Sequence, residues 1–459
     1  MLKRYIFLII ILFFFSLSVH AQQPNAVNNN YAPSDAKNNN ENTEVLTLTE
    51  CLKYALKNQP ALNQSIIDEA IARANNAIAF SAWMPQLTGA ANYQHYFQLP
   101  TVFSTINGTL TPVQSGVYNT SIPSVTATQT LFSPDVLLAV RAAKLNILEA
   151  KQNTKGTKIE VVAGVSKAFY DLLLSIQQVA VYREDTARLI KNRADAYNRY
   201  ISGIVDKVDY KQATISLNNS LSQLKNASEA IQAKYAGLKQ LMGYPSDKKF
   251  TVHFDTAQMM QEIFADTLAA LQFEKRIEYQ ELQTAKRIQR ETTLYYQLGF
   301  LPSLSAFYNY NYEFENNEFS DLYSKAYPYS LFGVQLNIPI FTGFRRNENV
   351  HKAKLQERRT DWDEVNLKLV IYTQYKQALA NYKSNLYYLH AQGENVGMAQ
   401  EVYNIVRLQY REGVKAYLDV IVAESDLKTS EINYLNALFQ VLESKIDLEK
   451  AMGDIPADI

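Results

Sequence analysis

Cysteine and net charge are both scarce in this sequence. The chain of 459 residues has one cysteine, Cys51, so no disulfide within the chain and no cysteine metal cluster can form. Cys51 stands near the start of a predicted helix, where we expect a small buried apolar residue. The 45 Lys and Arg residues balance the 45 Asp and Glu residues. This neutrality gives no electrostatic reason to expect nucleic acid as a partner.

Catalytic motifs are also missing. No histidine lies within a recognisable metal-binding motif, and the sequence has neither a glycine-rich phosphate loop nor a nucleophile elbow. The five histidines are His20, His95, His253, His351 and His390. We therefore expect no enzyme activity, no cofactor and no metal site.

Long apolar runs are limited to the N-terminus, where 1–21 is typical of a secretory signal peptide. Lys3 and Arg4 precede Tyr5–Leu17, an apolar run of 13 residues, which is shorter than the roughly 20 residues of a membrane span. No cysteine follows this run, which argues against a lipoprotein, and a retained anchor is the alternative. The mature chain is expected to start near Gln22 and to be exported. The Asn-rich segment 22–44 is expected to be a disordered linker.

No later helix is apolar enough to cross a bilayer. The most apolar window, Val161–Val181, carries Lys167 and Asp171. A charge at the centre of a spanning helix costs about 2.5–3.5 kcal/mol on insertion scales. Any segment of this chain that enters a membrane must therefore do so as strands.

A duplicated turn organises the rest of the chain. Tyr200–Asp209 is repeated as Tyr410–Asp419, and the paired glycines, Gly203 and Gly413, lie 210 residues apart (413 − 203). The same offset holds through the following helix to its end. A fixed offset over this length indicates a duplicated unit.

Each half reads as a helix, a strand hairpin, a very long helix, a turn and a long helix. Apolar residues in the first long helix follow coiled-coil spacing, and roughly 65 helical residues make a rod of about 100 Å. The predicted first repeat is 45–249, with a strand hairpin at about 87–132 and a helical hairpin at about 134–243; the second is 250–459, with corresponding hairpins at about 304–341 and 344–452.

The predicted strands have the length and pattern of membrane strands. They run about 9–11 residues with aromatic residues alternating against polar ones, as Tyr308, Tyr310 and Tyr312 alternate with Asn309 and Asn311. A soluble sheet packed on one face is the alternative. Four strands cannot close a barrel, and an open edge is intolerable in lipid, so three chains would share twelve strands. The fold class is mainly α with membrane β-strands, and a hollow helical cylinder is expected to continue below a trimeric barrel.

These features together resemble the TolC family of outer-membrane efflux ducts. The resemblance rests on Leu46–Asn58, the paired 84–87 and 301–304 segments, the strand exits at 131–132 and 340–341, and both Gly–Asp turns. It implies a homotrimer with a 12-stranded β-barrel in the outer membrane of a Gram-negative bacterium and a periplasmic α-barrel. It also implies a role in tripartite efflux or type I secretion. The implied partners are outer-membrane lipid, a periplasmic adaptor protein and an inner-membrane pump of the RND or ABC type.

The resemblance also assigns a periplasmic gate near the two turns. Tyr410 and Lys415 match the family's tethering tyrosine and basic residue, Asp209 matches their acidic partner, and Asp419 matches a ring of aspartates at the constriction. Lys415 stands where the family pattern has Arg, so its tether should be less specific. For each charged residue the alternative is a solvated surface position.

Three further positions bear on this assignment. Val422 replaces a second aspartate of the family pattern, which weakens the expected cation selectivity. Gly203 and Gly413 are expected to form the adaptor contact, and helix C-caps without a partner role are the alternative.

A soluble periplasmic coiled-coil adaptor or structural protein is the competing function. Adaptors have one helical hairpin flanked by small β domains, whereas this sequence duplicates a unit that contains membrane-length strands. The polar residues expected inside the barrel, such as Asn92, Gln94 and Asn309, form no selective pocket and do not identify the cargo.

Overall fold

The computed structural model describes residues 44–106, 108–252, 259 and 262–457, so the predicted signal peptide and most of the linker lie outside the described residues. The helices are α1 Leu48–Asn58, α2 Pro60–Ser81, α3 Pro134–Ile201, α4 Lys207–Met242, α5 Ile277–Leu298, α6 Arg345–Arg411 and α7 Tyr417–Met452. The strands are β1 Glu44–Leu46, β2 Gln86–Ala90, β3 Tyr93–His95, β4 Thr101–Ile106, β5 Thr109–Gln114, β6 Asn119–Ser121, β7 Ser124–Phe132, β8 Phe250–Val252, β9 Ser303–Asn316 and β10 Ala326–Asn337.

Local sequence explains where the helices begin. Thr47 and Glu50 form a reciprocal capping box before α1, since the Thr47 side chain accepts from the Glu50 amide and Glu50 accepts from the Thr47 amide at 2.7 Å. Proline occupies the first helical position of both α2 and α3, where its missing amide hydrogen costs nothing. Ser133 accepts from the Val136 amide at 3.3 Å and so caps α3.

Two glycines end α4 and α7 and pack closely against earlier backbone. Gly243 and Gly453 have φ of 67° and 78°. A Cβ at Gly243 would lie 2.6 Å from the Asn58 carbonyl oxygen, and one at Gly453 would lie 2.9 Å from that of Lys275. No other residue fits either position, because a side chain would meet both the left-handed strain and this backbone. The end of each repeat therefore packs against its own beginning.

Among the described residues, six strands make up the main sheet. β9 pairs with β10 on one side and with β6 and β7 on the other, while β2 pairs with β7 and β3 with β6. β6 and β7 are separated at Ile122–Pro123, because proline cannot donate to a neighbouring strand. The connection between the two predicted strands of the first hairpin contains a separate hairpin of β4 and β5.

The two faces of this sheet differ. The outward side chains Phe332, Val334 and Leu336 of β10 are exposed in the single chain, at 70%, 56% and 56%. On the opposite face, the aromatic residue Phe307 lies among the expected polar residues. It is paired directly with Gly333 of the neighbouring strand. A Cβ at Gly333 would meet the Phe307 ring at 2.5 Å, so glycine makes room for the ring.

The helices form a layer in which α3 is central. The part of α3 near the strands, here called its upper part, lies between α2 and α5, and α5 contacts α6. In its lower part α3 contacts α4 and α7, and α7 contacts α6. The main core lies where the repeats meet and includes the fully buried Cys51, Leu172 and Val441. Among the helices that the structure describes, none is both long and apolar enough to cross a membrane.

Candidate functional site at the helical tips

Two turns close the helical hairpins, one between α3 and α4 and one between α6 and α7. Their glycines, Gly203 and Gly413, have φ of 74° and 78°. A Cβ at either glycine would meet nothing within 4 Å. The backbone conformation alone requires glycine here, and the surrounding space is open to a partner.

The duplication extends to the hydrogen bonds of these turns. The Ile204 amide donates to the Arg199 carbonyl at 2.9 Å, and the Val414 amide donates to the Gln409 carbonyl at 2.8 Å. Both bonds span the turn as in a Schellman cap and satisfy carbonyls at the helix end. Ile204 and Val414 are 67% and 72% exposed, so each turn presents a large apolar side chain to solvent.

The two predicted acidic gate residues begin the returning helices. Asp419 accepts from the Ala416 amide at 3.2 Å and so caps α7. Its Oδ2 lies 3.9 Å from Nζ of Lys415. Asp209 occupies the equivalent position in α4, and burial together with the charge of Asp206 raises the pKa of its carboxyl. Among the ion pairs of the described residues, Lys415 therefore pairs with Asp419 of its own turn rather than with Asp209.

Tyr410 lies inside the tip. It is 9% exposed, and its ring centroid lies 5.4 Å from that of Tyr417. Burial raises the pKa of the Tyr410 hydroxyl, and the negative charge of Asp209 raises it further. The charge of Asp209 thus acts on Tyr410 within one chain, and Lys415 lies on the exposed side of the same turn.

Arg199 is a residue of this site that our sequence analysis missed. Its guanidinium carbon lies 4.9 Å from the Tyr410 ring centroid. Nη1 donates to the Tyr410 carbonyl at 3.3 Å, and Nη2 donates to the Arg411 carbonyl at 2.5 Å. Arg199 thereby joins the end of α3 to the end of α6. The duplication contains one signal that could have identified Arg199, because the equivalent position in the second repeat is the neutral Gln409 and the two repeats therefore differ in charge there.

A groove of about 560 Å³ opens beside these residues, between α3 and α6. Its lining carries four cationic side chains and one carboxylate. The charged lining residues are Lys191, Asp195, Arg199, Arg407 and Arg411. The floor includes Tyr410 and Tyr417, so the groove reaches the buried aromatic pair of the tip.

Comparison with known proteins decides the family. The family model described as outer membrane efflux protein matches residues 51–244 and 276–454. The chain belongs to the outer membrane efflux protein family. Both halves match, and each match spans a strand hairpin and a helical hairpin. The prediction of TolC-family membership is therefore confirmed.

Individual relatives of the outer membrane efflux protein family agree with this result. BepC of Brucella suis, an outer membrane efflux protein, is 24% identical over 90% of this chain and 86% of its own length. TolC of Vibrio cholerae is 20% identical over 71% of this chain and 75% of its own. The solved structure of CusC has a TM-score of 0.74 at 17% identity and covers 91% of this chain and 95% of its own.

The family fixes the general role and location. This outer membrane efflux protein is a channel component of the outer membrane, as predicted, and the competing prediction of a soluble adaptor is not supported. The family and its relatives are channel proteins rather than enzymes.

Proposed function

We propose that three copies of this chain form a continuous exit duct that opens at its helical tips. The observation that carries the proposal is the pair of unmatched edges on the main sheet. The described residues pair β2 and β10 on one side only, with β7 and β9 respectively. An unpaired edge is not stable in lipid, and pairing β10 of one copy with β2 of the next closes a barrel.

Unpartnered helix faces support the same arrangement. Ile67 and Ile71 of α2 are 58% and 50% exposed, and Trp362 and Leu369 of α6 are 74% and 62% exposed. These two helices are the outer members of the upper layer. Contact between α2 of one copy and α6 of the next would bury these apolar side chains around the same axis that closes the sheet.

The tips supply the gate and the docking surface in this proposal. Tyr410, Lys415 and Asp209 hold the mouth closed, with any link from Lys415 to Asp209 formed between copies, and Asp419 contributes a ring of carboxylates at the constriction. A periplasmic adaptor docks on the turns at Gly203 and Gly413, where the open space and exposed apolar side chains favour contact. The adaptor connects the duct to an inner-membrane pump of the RND or ABC type.

The assembly is tested by measuring mass in detergent. Wild-type protein is expected to be a trimer, and Trp362→Glu is expected to yield monomers because three charges would enter an apolar contact. Asp363→Lys is the matched control, since this neighbouring exposed position already carries a charge. A monomeric wild-type protein, or trimers in both variants, would overturn the proposed contact.

Docking at the turn is tested by efflux in cells with two variants of Gly413. Asn tolerates a positive φ, whereas Val is strained there. If the turn contacts an adaptor, both Gly413→Asn and Gly413→Val abolish drug resistance while trimers persist. Gly237→Val serves as control, because that glycine also has open space but lies within a helix. Normal resistance with Gly413→Asn would show that glycine is needed here only for its backbone conformation and not for contact with an adaptor.

A further inference from the structure

A cluster of charged residues is buried between α3 and α7, at a distance along the helices from the two turns. The guanidinium of Arg188 lies among three carboxylates, at 3.7 Å from Asp185, 3.7 Å from Glu424 and 3.5 Å from Glu431. Asp185 and Glu424 are 1% and 3% exposed. We call Asp185, Arg188, Asn192, Glu424 and Glu431 the Arg188 cluster. It is a buried electrostatic contact between the first helical hairpin and α7 of the second.

The two buried carboxylates are not equally well satisfied. Asp185 accepts from the Ser220 hydroxyl at 2.7 Å and lies 3.9 Å from Nζ of Lys428. Glu424 accepts from Asn192 at 2.9 Å through Oε2, whereas its Oε1 lies 3.7 Å from the nearest Arg188 nitrogen, which is too long for a hydrogen bond. Burial and the charge of Asp185 raise the pKa of Glu424 to about 7, and Asn192 and Arg188 only partly oppose the shift.

Charged and titratable groups approach Glu424 from each neighbouring helix. They are Asp185 and Arg188 from α3, Tyr403 and Arg407 from α6, and Tyr417 on α7 itself, while α4 contributes the Ser220 hydroxyl through Asp185. Burial raises the pKa of the tyrosines Tyr403 and Tyr417, so neither hydroxyl adds a negative charge near neutral pH. Burial also raises the pKa of Glu431 on α7, where the charge of Arg188 opposes the shift. Glu424 and Glu431 are therefore the two carboxyls of this cluster in which burial favours the protonated form, and Glu424 is the one hydrogen-bonded across the helices to Asn192.

We propose that the Arg188 cluster is a proton-binding lock, in which Glu424 holds a proton while α7 packs against α3 and releases it when the helices separate. The proposal rests on the proposed function, because it takes separation of these helices to accompany opening of the duct. Glu424 bridges the two helical hairpins through Asn192, so its environment changes as soon as α7 moves.

The direction of the pH dependence follows from the two environments of the Glu424 carboxyl. In the packed state the protonated form persists up to about pH 7, whereas in water an ordinary glutamate titrates near 4.5. The packed state therefore binds more protons between these values, and rising pH favours separation there. Each protomer that releases one proton shifts the opening equilibrium about tenfold per pH unit. Below 4.5 and above 7 the dependence disappears.

The first test records open probability in planar bilayers at pH 5.0 and pH 7.5. The wild-type duct is expected to open at least tenfold more often at pH 7.5. Glu424→Gln should remove this difference, because the amide cannot release a proton. Asp426→Asn, an exposed carboxylate on the same helix, is the control for charge along the channel and should retain the difference. Equal pH dependence in Glu424→Gln and wild type would overturn the lock.

Asp185→Asn supplies a second test, in which the cluster keeps its proton acceptor but loses the neighbouring charge that favours protonation. Its midpoint should move to lower pH. Infrared spectroscopy of purified trimers measures proton binding without channel opening, as a protonated carboxyl band that titrates near pH 7 and is missing in Glu424→Gln. Absence of the band in wild type would refute the lock and leave the duct intact, whereas wild-type protein that never conducts would refute the duct itself.

Discussion

Removing Arg199 should loosen the closed tip. Its guanidinium contacts the Tyr410 ring and two carbonyls at the end of α6, so Arg199→Ala removes a direct connection between the first and second helical hairpins. A cation–π contact is worth about 0.5–1 kcal/mol at an exposed site. Hydrogen bonds to a charged donor add about 1.5–3 kcal/mol when buried, and this side chain is only partly buried. We expect a loss of about 2 kcal/mol for each protomer.

Symmetry multiplies this loss. If three copies open together, about 6 kcal/mol is lost, which is close to the roughly 5.5 kcal/mol that moves a two-state equilibrium from 1:99 to 99:1. Arg199→Ala should therefore open the duct at rest, as measured by single-channel conductance in planar bilayers. Arg199→Lys should lie between the variant and wild type, because lysine keeps the charge but lacks the planar fork.

Arg193→Ala is the matched control. Arg193 lies 6.0 Å from the Tyr210 ring and so makes the same type of contact within the first helical hairpin alone. It should leave resting conductance unchanged. Wild-type conductance in Arg199→Ala, or the same increase in Arg193→Ala, would show that a contact between the hairpins does not hold the tip closed.

Three further predictions concern charge. Lys415→Ala combined with Asp209→Ala should raise conductance if the two residues link neighbouring copies, and unchanged conductance would refute that link. Asp419→Asn should reduce cation preference in reversal-potential measurements while keeping an N-cap acceptor for α7, so equal ion selectivity would exclude an aspartate ring. Hydrogen bonds from Lys286 and Lys368 lower the pKa of Glu364 to about 2, so its stabilising effect is present above pH 4.5 and lost as pH falls toward 2. Glu364→Gln should flatten the dependence of the thermal unfolding temperature on pH over this window. A dependence as steep as that of wild type would contradict the assignment.

The sequence predicted the fold because its strongest signals are local and duplicated. Helix periodicity, alternation in the strands and the repeated glycine turns each depend on near neighbours, and the family match and structural relatives confirm the resulting fold class. The gate residues stay predictions, because the contacts proposed for Lys415 would join different copies. The β4–β5 hairpin was not predicted, since its Thr-rich strands and internal Pro112 are typical of a loop as well.

The buried charges could not be found from the sequence for a different reason. Asp185, Arg188 and Glu424 stand in long helices among many charged residues that face solvent, and periodicity alone does not separate them. Their burial depends on three helices meeting at one level, which is a property of the tertiary packing. The same holds for Arg199, whose partners lie more than 200 positions away in the chain.

The close packing of Gly243 on Asn58 and of Gly453 on Lys275 bears on the origin of the molecule. Each repeat fastens its end to its own start, so a single repeat already has a defined shape. A ring of three such chains then has approximate sixfold symmetry, as a ring built from single repeats would have had. Fusing two repeats frees their tips to diverge, and Arg199 opposite Gln409 is one result. Gene duplication thereby allows the two tips of one chain to differ.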